Sequence, residues 1–310
     1  MNVIFMGTPD FAIPTLKALY DNGHNIMAVF TQTDKPKGRG MKLTPSPVKE
    51  FALSHGIPVY QPNSLKKETE TYTPIIKELD PDAIIVVAYG KILPPEVLEI
   101  PRLGCINVHG SLLPKYRGAA PIQWTVLNGD EFGGVTTMLM AQGMDTGDML
   151  LKESVRVGEN ETSSGLYDRL SYVGADLLIK TLDAVEKGEV IPIPQDEAEA
   201  SIAPMLSKDL CPIDFSKTAK QVHSQICGLS DWPCATTTLD GKKLKIYRCE
   251  VVSGSKGNHE PGEVVNEKDF TVACGEGLIR FTEIQAEGSK RMDTKSYLLG
   301  RPIKKGVRLC

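Results

Sequence analysis

Apolar runs alternate with stretches of helical periodicity over the first half of the chain. The runs at residues 2–7, 26–32, 58–61, 83–89 and 105–109 are typical of strands that are buried on both faces. Between these runs, apolar residues recur three and four positions apart, as on one face of a helix. This alternation predicts an α/β domain with a doubly wound, mostly parallel sheet and right-handed crossovers.

Three later segments extend the same domain. Residues 133–140 and 147–157 predict two further strands that pair antiparallel. Residues 162–188 predict one long amphipathic helix, with Thr162 as its N-cap and Gly188 at its end.

The pattern changes after this helix. Residues 189–205 are rich in proline and acidic residues, have little periodicity, and predict a linker. Residues 206–310 begin with a helical stretch and continue as short strands separated by Asp-Gly and Glu-Gly turns, which predicts a small antiparallel barrel. We therefore expect a larger domain at residues 1–188, the linker, and a smaller domain at residues 206–310.

Composition narrows the class of protein. The chain has 310 residues, of which 41% are hydrophobic and 24% charged, as expected of packed globular domains. Its beginning has no basic segment and no apolar stretch long enough for a signal peptide, and no run is long enough to cross a bilayer. The seven cysteines form no Cys-x-x-Cys motif and no Cys/His cluster in the sequence. We expect a cytoplasmic protein with reduced thiols, no bound metal and no membrane contact, and we expect a monomer.

Charge is unevenly distributed. Residues 206–310 have 17 Lys and Arg against 13 Asp and Glu, a net charge of +4, whereas residues 1–205 have a net charge of −8. Within the acidic part, residues 35–49 hold five cations and no acid: Lys35, Lys37, Arg39, Lys42 and Lys49. Glycines and prolines in this segment disfavour a helix, so it is expected to be a long mobile loop that contacts a polyanion.

The first strand leads into Gly7, Thr8 and Pro9, which is not the glycine-rich fingerprint of a dinucleotide site. Thr8 is predicted to cap the first helix, with Pro9 at its first position. A nicotinamide dehydrogenase is therefore disfavoured. The chain also has no Gly-x-Ser-x-Gly motif, so a covalent serine intermediate is not indicated.

Polar residues lie where ligands bind in such sheets, outside the carboxyl ends of the strands. Asn107 and His109 end one predicted strand, and Asp145 lies in the loop at residues 141–148. Asn donates hydrogen bonds, His does so when protonated, and a carboxylate orients the imidazole and favours its charged form. The set suits stabilisation of an oxyanion and transfer of a proton. Taken singly, His109 is more often a core or surface residue, and Asp145 a turn residue.

The segment INVHGSLLPKYRGAAPIQW, followed by GMDTGD, resembles the formyltransferases that use 10-formyltetrahydrofolate. The segments MGTPDFAIPTLKAL, KGRGMKLTPSPVK, SDWPCA and EGSKRMDTKSYLLG narrow the resemblance to the members that formylate methionyl-tRNA. It extends over nearly the whole chain. Gly110 and Cys234 depart from the alanine and glycine that are common in the family.

The resemblance implies a fold and a set of roles. It implies a Rossmann-like formyltransferase domain and a second domain that resembles an oligonucleotide-binding (OB) fold. It implies that the catalytic residues are Asn107, His109 and Asp145. The residues implied at the folate site are Ala88, Tyr89, Gly90, Ser111, Leu112, Leu113, Pro114 and Gly143. The residues implied to bind tRNA are Lys35, Lys37, Arg39 and Lys42.

The resemblance also implies the reaction. Formyl would pass from 10-formyltetrahydrofolate to the amino group of initiator methionyl-tRNA, for translation initiation. One alternative is a formyltransferase that acts on a small amine such as an amino sugar. Another is a non-catalytic module that binds tRNA or folate. The basic loop disfavours the first alternative, and the complete Asn/His/Asp set disfavours the second.

Overall fold

The computed structural model describes residues 1–37 and 41–310. The strands up to residue 203 are β1 (Asn2–Gly7), β2 (Asn25–Phe30), β3 (Lys35–Lys37), β4 (Lys42–Thr44), β5 (Val59–Tyr60), β6 (Ala83–Val87), β7 (Cys105–His109), β8 (Arg117–Gly118), β9 (Phe132–Leu139), β10 (Met149–Arg156) and β11 (Ile202–Ala203). The helices in this part are α1 (Ile13–Asp21), α2 (Pro47–Ser54), α3 (Thr69–Leu79), α4 (Pro95–Leu98), α5 (Pro121–Leu127) and α6 (Ser163–Glu186). The remaining elements are α7 (Ala219–Gly228), β12 (Ala235–Leu239), β13 (Lys242–Val252), β14 (Val264–Asn266), β15 (Thr271–Ala273), β16 (Leu278–Ala286), β17 (Met292–Asp293) and α8 (Thr294–Gly300).

Seven strands form the larger sheet, in the order β10-β9-β7-β6-β1-β2-β5. The pairs β1–β2, β1–β6, β2–β5 and β6–β7 are parallel, and β7–β9 is antiparallel. From β1 the chain builds outward to β5 and then returns to the other side of β1 with β6 and β7. The prediction of a doubly wound, mostly parallel sheet is confirmed. The order reverses between β1 and β6, and ligands bind at such a point, beside the carboxyl ends of the strands.

Apolar side chains explain why these strands lie in the middle of the sheet. Every residue of β6 and β7 is buried, and in β1 only Asn2 is exposed. Strands with apolar residues on both sides fit a sheet whose two faces are both covered. The three strands therefore fix where the polar residues that follow them leave the sheet.

The interpretation of Thr8 as a helix cap is wrong. A short 3-10 turn at Asp10–Ala12 precedes α1, and its N-cap is Pro9. The Thr8 hydroxyl instead donates to the Tyr89 carbonyl at 3.2 Å and accepts from the Gln32 amide at 3.4 Å. Thr8 thus connects the carboxyl ends of β1, β2 and β6.

The described parts of the basic segment have regular structure, where the sequence predicts a loop. Strands β3 and β4 pair antiparallel, with Lys37 opposite Lys42. The helix α2 then begins inside the segment, because Ser46 caps it and accepts a hydrogen bond from the Lys49 amide at 3.1 Å. The prediction for residues 38–40 lies outside the described residues.

The long helix is confirmed as α6. The Thr162 hydroxyl accepts from the Gly165 amide at 3.2 Å, as an N-cap does. Gly188 has φ of +70° just beyond the end of the helix, a conformation that costs glycine little.

The chain contains two compact units, and neither is a single stretch of sequence. The larger unit holds residues 1–118, 134–155 and 167–202, and the smaller holds residues 119–133, 156–166 and 203–310. The segment predicted as a linker contains a 3-10 turn at Glu197–Glu199 and the strand β11.

The smaller unit is built on a six-stranded antiparallel sheet, in the order β12-β13-β16-β15-β14 with β17 beside β16. The strands of this sheet and α7 enclose one apolar core. Helix α5 belongs to this unit, and its Trp124 and Leu127 pack against that core. Helix α7 begins with a capping box in which Thr218 and Gln221 satisfy each other's backbone amides.

None of the helices in residues 1–37 and 41–310 combines the length and apolar character that a membrane span requires.

Candidate active site

Asn107 and His109 lie two residues apart on β7 and therefore point to the same face of the sheet. Both are largely buried, with exposed fractions of 8% and 6%. Within the described residues, the Asn107 amide group makes no hydrogen bond. Its polar atoms are not among the buried side-chain atoms that lack a partner, so they retain contact with solvent. Its N–H groups are therefore free to bind a ligand.

Two groups contact the imidazole of His109. Its Nε2 lies 2.9 Å from the Tyr116 carbonyl oxygen, and its Nδ1 lies 3.7 Å from Oδ2 of Asp145. A carbonyl oxygen only accepts hydrogen bonds, so Nε2 carries a proton in this arrangement. The distance to Asp145 is within the range of an ion pair and longer than a hydrogen bond.

Asp145 is held from two sides. The Gly118 amide donates to its Oδ2 at 2.8 Å. The Gln195 side chain donates to the Asp145 carbonyl and to the Gly147 carbonyl, each at 2.8 Å. Gly147 has no room for a side chain, because a Cβ there would lie 1.7 Å from the Leu139 carbonyl oxygen. The loop therefore reaches the site along a narrow and fixed path.

Arg117 binds Gln195 and so helps to hold the loop that carries Asp145. It is 4% exposed, and its Nε donates to the Gln195 side chain at 2.9 Å. Its two terminal nitrogens bind the Glu197 carboxylate at 2.8 and 3.0 Å, and this hydrogen bonding lowers the pKa of Glu197. Arg117 and Gln195 were not identified from the sequence. Arg117 lies within the segment that carries the family resemblance, but the partners of both side chains lie 48 to 80 positions away in the chain, so nothing local indicates their role.

The turn after β7 contains the residues that the resemblance assigns to folate. The Ser111 hydroxyl donates to the Lys115 carbonyl at 2.7 Å, so it closes the turn. Leu113 is buried with Met138 and Met149, and its amide donates to the Thr136 hydroxyl at 3.1 Å. Leu112 is half-buried and Pro114 is buried. The turn is thus held by its own hydrogen bonds and by apolar packing.

The loop after β6 lies at the same edge of the sheet. Ala88 and Gly90 are exposed, whereas the Tyr89 ring is 1% exposed and packs in the apolar core. Burial raises the pKa of Tyr89 above its ordinary range. The Tyr89 carbonyl accepts from Thr8 and from the Gln32 side chain, the latter at 3.0 Å. This loop therefore presents backbone, and not the tyrosine ring, at the edge. Gly143 is exposed in the same loop as Asp145.

Three residues at this edge have positive φ although they are not glycine. The values are +45° for Ala88, +64° for Tyr116 and +53° for Asp145. Such conformations cost free energy and persist only where the surroundings enforce them, which is common at binding and catalytic sites.

The cations of the basic segment differ in their surroundings. Lys42 is exposed, and Lys35 is exposed with its Nζ 2.7 Å from the Gln32 side-chain oxygen. Lys49 is engaged with the Asp34 carboxylate at 2.8 Å and with the Gln61 side chain at 2.8 Å. The backbone of Lys37 lies in β3, and Arg39 lies outside the described residues.

Two family models cover most of the chain. The formyl transferase model matches residues 1–182, and the model of the formyl transferase C-terminal domain matches residues 205–302. A methionyl-tRNA formyltransferase from Caldanaerobacter subterraneus subsp. tengcongensis is 49% identical over 310 residues, which is 100% of both chains. Another from Clostridium novyi is 50% identical over 305 residues, 98% of each chain. The chain belongs to the methionyl-tRNA formyltransferase family.

Solved structures with the same fold include a formyltransferase of another kind and a protein that was solved with a folate. The sugar 3N-formyl transferase WlaRD, solved with dTDP and 5-N-formyl-THF, has a TM-score of 0.69 at 20% identity, over 94% of this chain and 99% of its own. HypX from Aquifex aeolicus, solved with tetrahydrofolic acid, has a TM-score of 0.65 at 16% identity. The match covers 96% of this chain and 46% of HypX, so the chain spans about half of that protein. At these identities the likeness concerns the fold.

Replacing Gln195 with alanine is expected to free the loop that carries Asp145. The Gly118 amide reports on this loop, because it donates to the Asp145 carboxylate. Loss of a buried partner costs roughly 1–3 kcal/mol, so the Gly118 amide should exchange with solvent at least about fivefold faster. Hydrogen exchange of the backbone amides measures this.

Gln225→Ala is the matched control. Its side chain also donates to two carbonyls, those of Leu210 and Pro212. That change should leave exchange at Gly118 as in the wild type. Equal exchange at Gly118 in Gln195→Ala and the wild type would show that Gln195 does not hold the loop.

Proposed function

We propose that the chain transfers the formyl group of 10-formyltetrahydrofolate to the free amino group of initiator methionyl-tRNA, which gives N-formylmethionyl-tRNA for translation initiation. The observation that carries this proposal is that Asn107, His109 and Asp145 lie together at the carboxyl end of β7, and that the Asn107 amide has no hydrogen-bond partner among the described residues. Relatives that are 49–50% identical over almost the full length are methionyl-tRNA formyltransferases, which supports the choice of substrate.

The proposed chemistry starts with the amine of the aminoacyl ester. An α-amino group has a reference pKa near 8, so an appreciable fraction is neutral at pH 7 and can attack the formyl carbon. The new carbon–nitrogen bond pushes an electron pair onto the formyl oxygen. When the carbonyl reforms, the bond to N10 of the folate breaks. N10 takes up one proton and the attacking nitrogen loses one, so the step is balanced without a covalent enzyme intermediate or a metal ion.

Asn107 and His109 are proposed to stabilise the oxyanion that forms in this step. Hydrogen-bond donors that already face the developing charge need no reorganisation during the reaction. The Asn107 N–H groups have no competing partner within the described residues. The Nε2 proton of His109 is held by the Tyr116 carbonyl at 2.9 Å, so a bound substrate must replace that carbonyl. Asp145 then balances the charge of the protonated ring from the Nδ1 side.

Folate is proposed to bind between the loop after β6 and the turn after β7. Ala88 and Gly90 offer exposed backbone there, and the apolar Leu112, Leu113 and Pro114 line the turn. A flat, partly aromatic ring with polar edges suits an apolar wall next to backbone donors and acceptors. WlaRD and HypX were solved with folates, which supports a folate as the formyl donor.

The basic segment at residues 35–49 is proposed to bind the tRNA. Lys35 and Lys42 are exposed, and Lys37 and Arg39 belong to the same uninterrupted basic segment. Clustered cations attract a phosphate backbone, and small amines have no such requirement. Lys49 contributes less, because Asp34 neutralises it.

A substrate comparison tests the proposal. The chain, supplied with 10-formyltetrahydrofolate, should formylate charged initiator tRNA, and should not formylate the uncharged tRNA or dTDP-3-aminofucose. The amino sugar is the sharpest rival, because an N-formyltransferase from Helicobacter canadensis with the same fold was solved with it. Preference for the amino sugar would replace the proposal with a small-amine formyltransferase.

Single replacements of Asn107 and His109 by alanine are expected to lower kcat about 10²–10³-fold, the usual cost of losing an oxyanion donor. Affinity for folate should change little, because both groups act on the transition state. Steady-state and single-turnover kinetics measure these effects. His259→Ala is the matched control, since His259 also lies beside a carboxylate, with 2.7 Å to Glu263, but in the smaller unit. Near-normal turnover in either alanine variant would refute the assignment.

Arg39→Ala and Lys42→Ala are expected to raise KM for charged tRNA and to leave folate affinity unchanged. Each lost phosphate contact should reduce the slope of log affinity against log salt by about 0.7–0.9. Fluorescence binding across a salt series measures the slope. Lys17→Ala is the control, because Lys17 is an exposed cation of α1 that pairs with Asp21. If all variants bind tRNA with the wild-type affinity and slope, the basic segment is not the tRNA contact.

A further inference from the structure

A compact group of soft ligand atoms lies inside the smaller unit, among residues that the proposed reaction does not use. His223 and Cys227 lie four positions apart on α7, and Cys249 lies on β13. All three are buried, with exposed fractions of 9%, 1% and 2%. One ligand atom from each residue lies within 4.8 Å of the other two. This group could not be found from sequence spacing, because Cys249 joins it only through the packing of β13 against α7.

One ring nitrogen of His223 is held by a hydrogen bond. Its Nε2 lies 2.9 Å from Oδ1 of Asn160, which accepts the hydrogen bond, so Nε2 carries the proton. The lone pair then belongs to Nδ1, which is 4.0 Å from the Cys227 sulfur, whereas Nε2 is 3.5 Å from it. Binding of an ion by Nδ1 therefore requires a small rotation of the ring. Metal-binding histidines characteristically donate their other ring N–H to an oxygen in this manner, which fixes the tautomer and the ring orientation.

Solvent is excluded from the two sulfur atoms. Cys227 and Cys249 are 1% and 2% exposed, and α7 packs against β13 in this part of the unit. A metal ion supplies the positive charge that stabilises thiolates in such a place.

We propose that His223, Cys227 and Cys249 form a binding site for one thiophilic d¹⁰ metal ion, Zn²⁺ or Cu⁺. The three donor atoms lie within 4.8 Å of one another, so small side-chain movements can place them around one ion at the usual zinc–sulfur distance of about 2.3 Å. Two thiolates balance the charge of Zn²⁺. Binding releases the thiol protons to solvent and involves no oxidation or reduction.

The proposal gives the site a structural role, because the ligands join α7 to β13 inside the core of the smaller unit. A metal that binds the folded chain and not the unfolded chain stabilises the fold. It also revises the expectation of a chain without metal. The site is independent of the proposed transfer reaction, since the three residues belong to the smaller unit and Asn107, His109 and Asp145 to the larger.

The test uses the full-length chain, reduced and freed of metals by chelation. Zn²⁺ and Cu⁺ are titrated separately by calorimetry, and Co²⁺ serves as a spectroscopic probe for thiolate ligands. Wild type should bind one equivalent, show a thiolate-to-cobalt charge-transfer band, and melt at a higher temperature with Zn²⁺ or Cu⁺. The two Kd values give the order in which the site prefers Zn²⁺ and Cu⁺.

Variants separate a metal site from ordinary core packing. Cys227→Ser, Cys249→Ser and His223→Gln should lose the charge-transfer band or weaken binding at least about 100-fold, and Asn160→Ala about 10–100-fold. Cys211→Ser, at another buried cysteine of the same unit, should bind as the wild type does. Melting curves without metal show whether each variant folds.

Two outcomes would overturn the proposal. One is a reduced wild-type chain that binds neither Zn²⁺ nor Cu⁺ with one-to-one stoichiometry. The other is binding that the folded Cys227→Ser and His223→Gln variants both retain at wild-type affinity, which would place the metal elsewhere.

Discussion

The candidate active site depends on the parallel pairing of β6 with β7 in a sheet that is buried on both faces. The register sets Val86 opposite Asn107, so the loop at residues 88–90 and the residue His109 leave the sheet at one edge. A shift of one residue would turn Asn107 and His109 to the opposite face. Both faces of β7 are buried, so such a shift would place these polar side chains among apolar residues without hydrogen-bond partners, which costs free energy. The buried strands thus fix the positions of the polar side chains at the edge of the sheet.

Backbone groups supply much of what surrounds the polar side chains. The Tyr116 carbonyl meets His109, the Gly118 amide meets Asp145, and Gln195 meets the backbone of the loop that carries Asp145. Backbone partners are fixed more firmly than long side chains, because little rotational freedom is lost when they bind. The positive φ of Tyr116 and Asp145 is the cost of bringing those groups into place. Asn107 is the exception, since its amide has no partner among the described residues.

Periodicity was sufficient for the sheet and the long helix, because burial on two faces and an amphipathic stripe are local properties of a sequence. It was insufficient wherever a partner is distant in the chain. Thr8 fits a helix cap locally, yet its hydroxyl binds the Tyr89 carbonyl, 81 positions away. The segment at residues 189–205 has the composition of a linker, yet Gln195 within it contacts Asp145. The placement of Asn107 at the ligand-binding edge of the sheet could be predicted from its position at the end of a strand. Its lack of a hydrogen-bond partner could not be predicted.

Helix α5 limits where the gene can be divided between the two units. It follows the turn after β7 directly in the chain, yet its Trp124 and Leu127 belong to the core that the later strands complete. A fragment that ends at residue 204 would therefore not be a self-contained catalytic domain, because the apolar face of α5 would be uncovered. Fusion or exchange of the second unit between proteins meets the same obstacle. Because segments of the two units alternate along the chain, joint inheritance of both units is favoured.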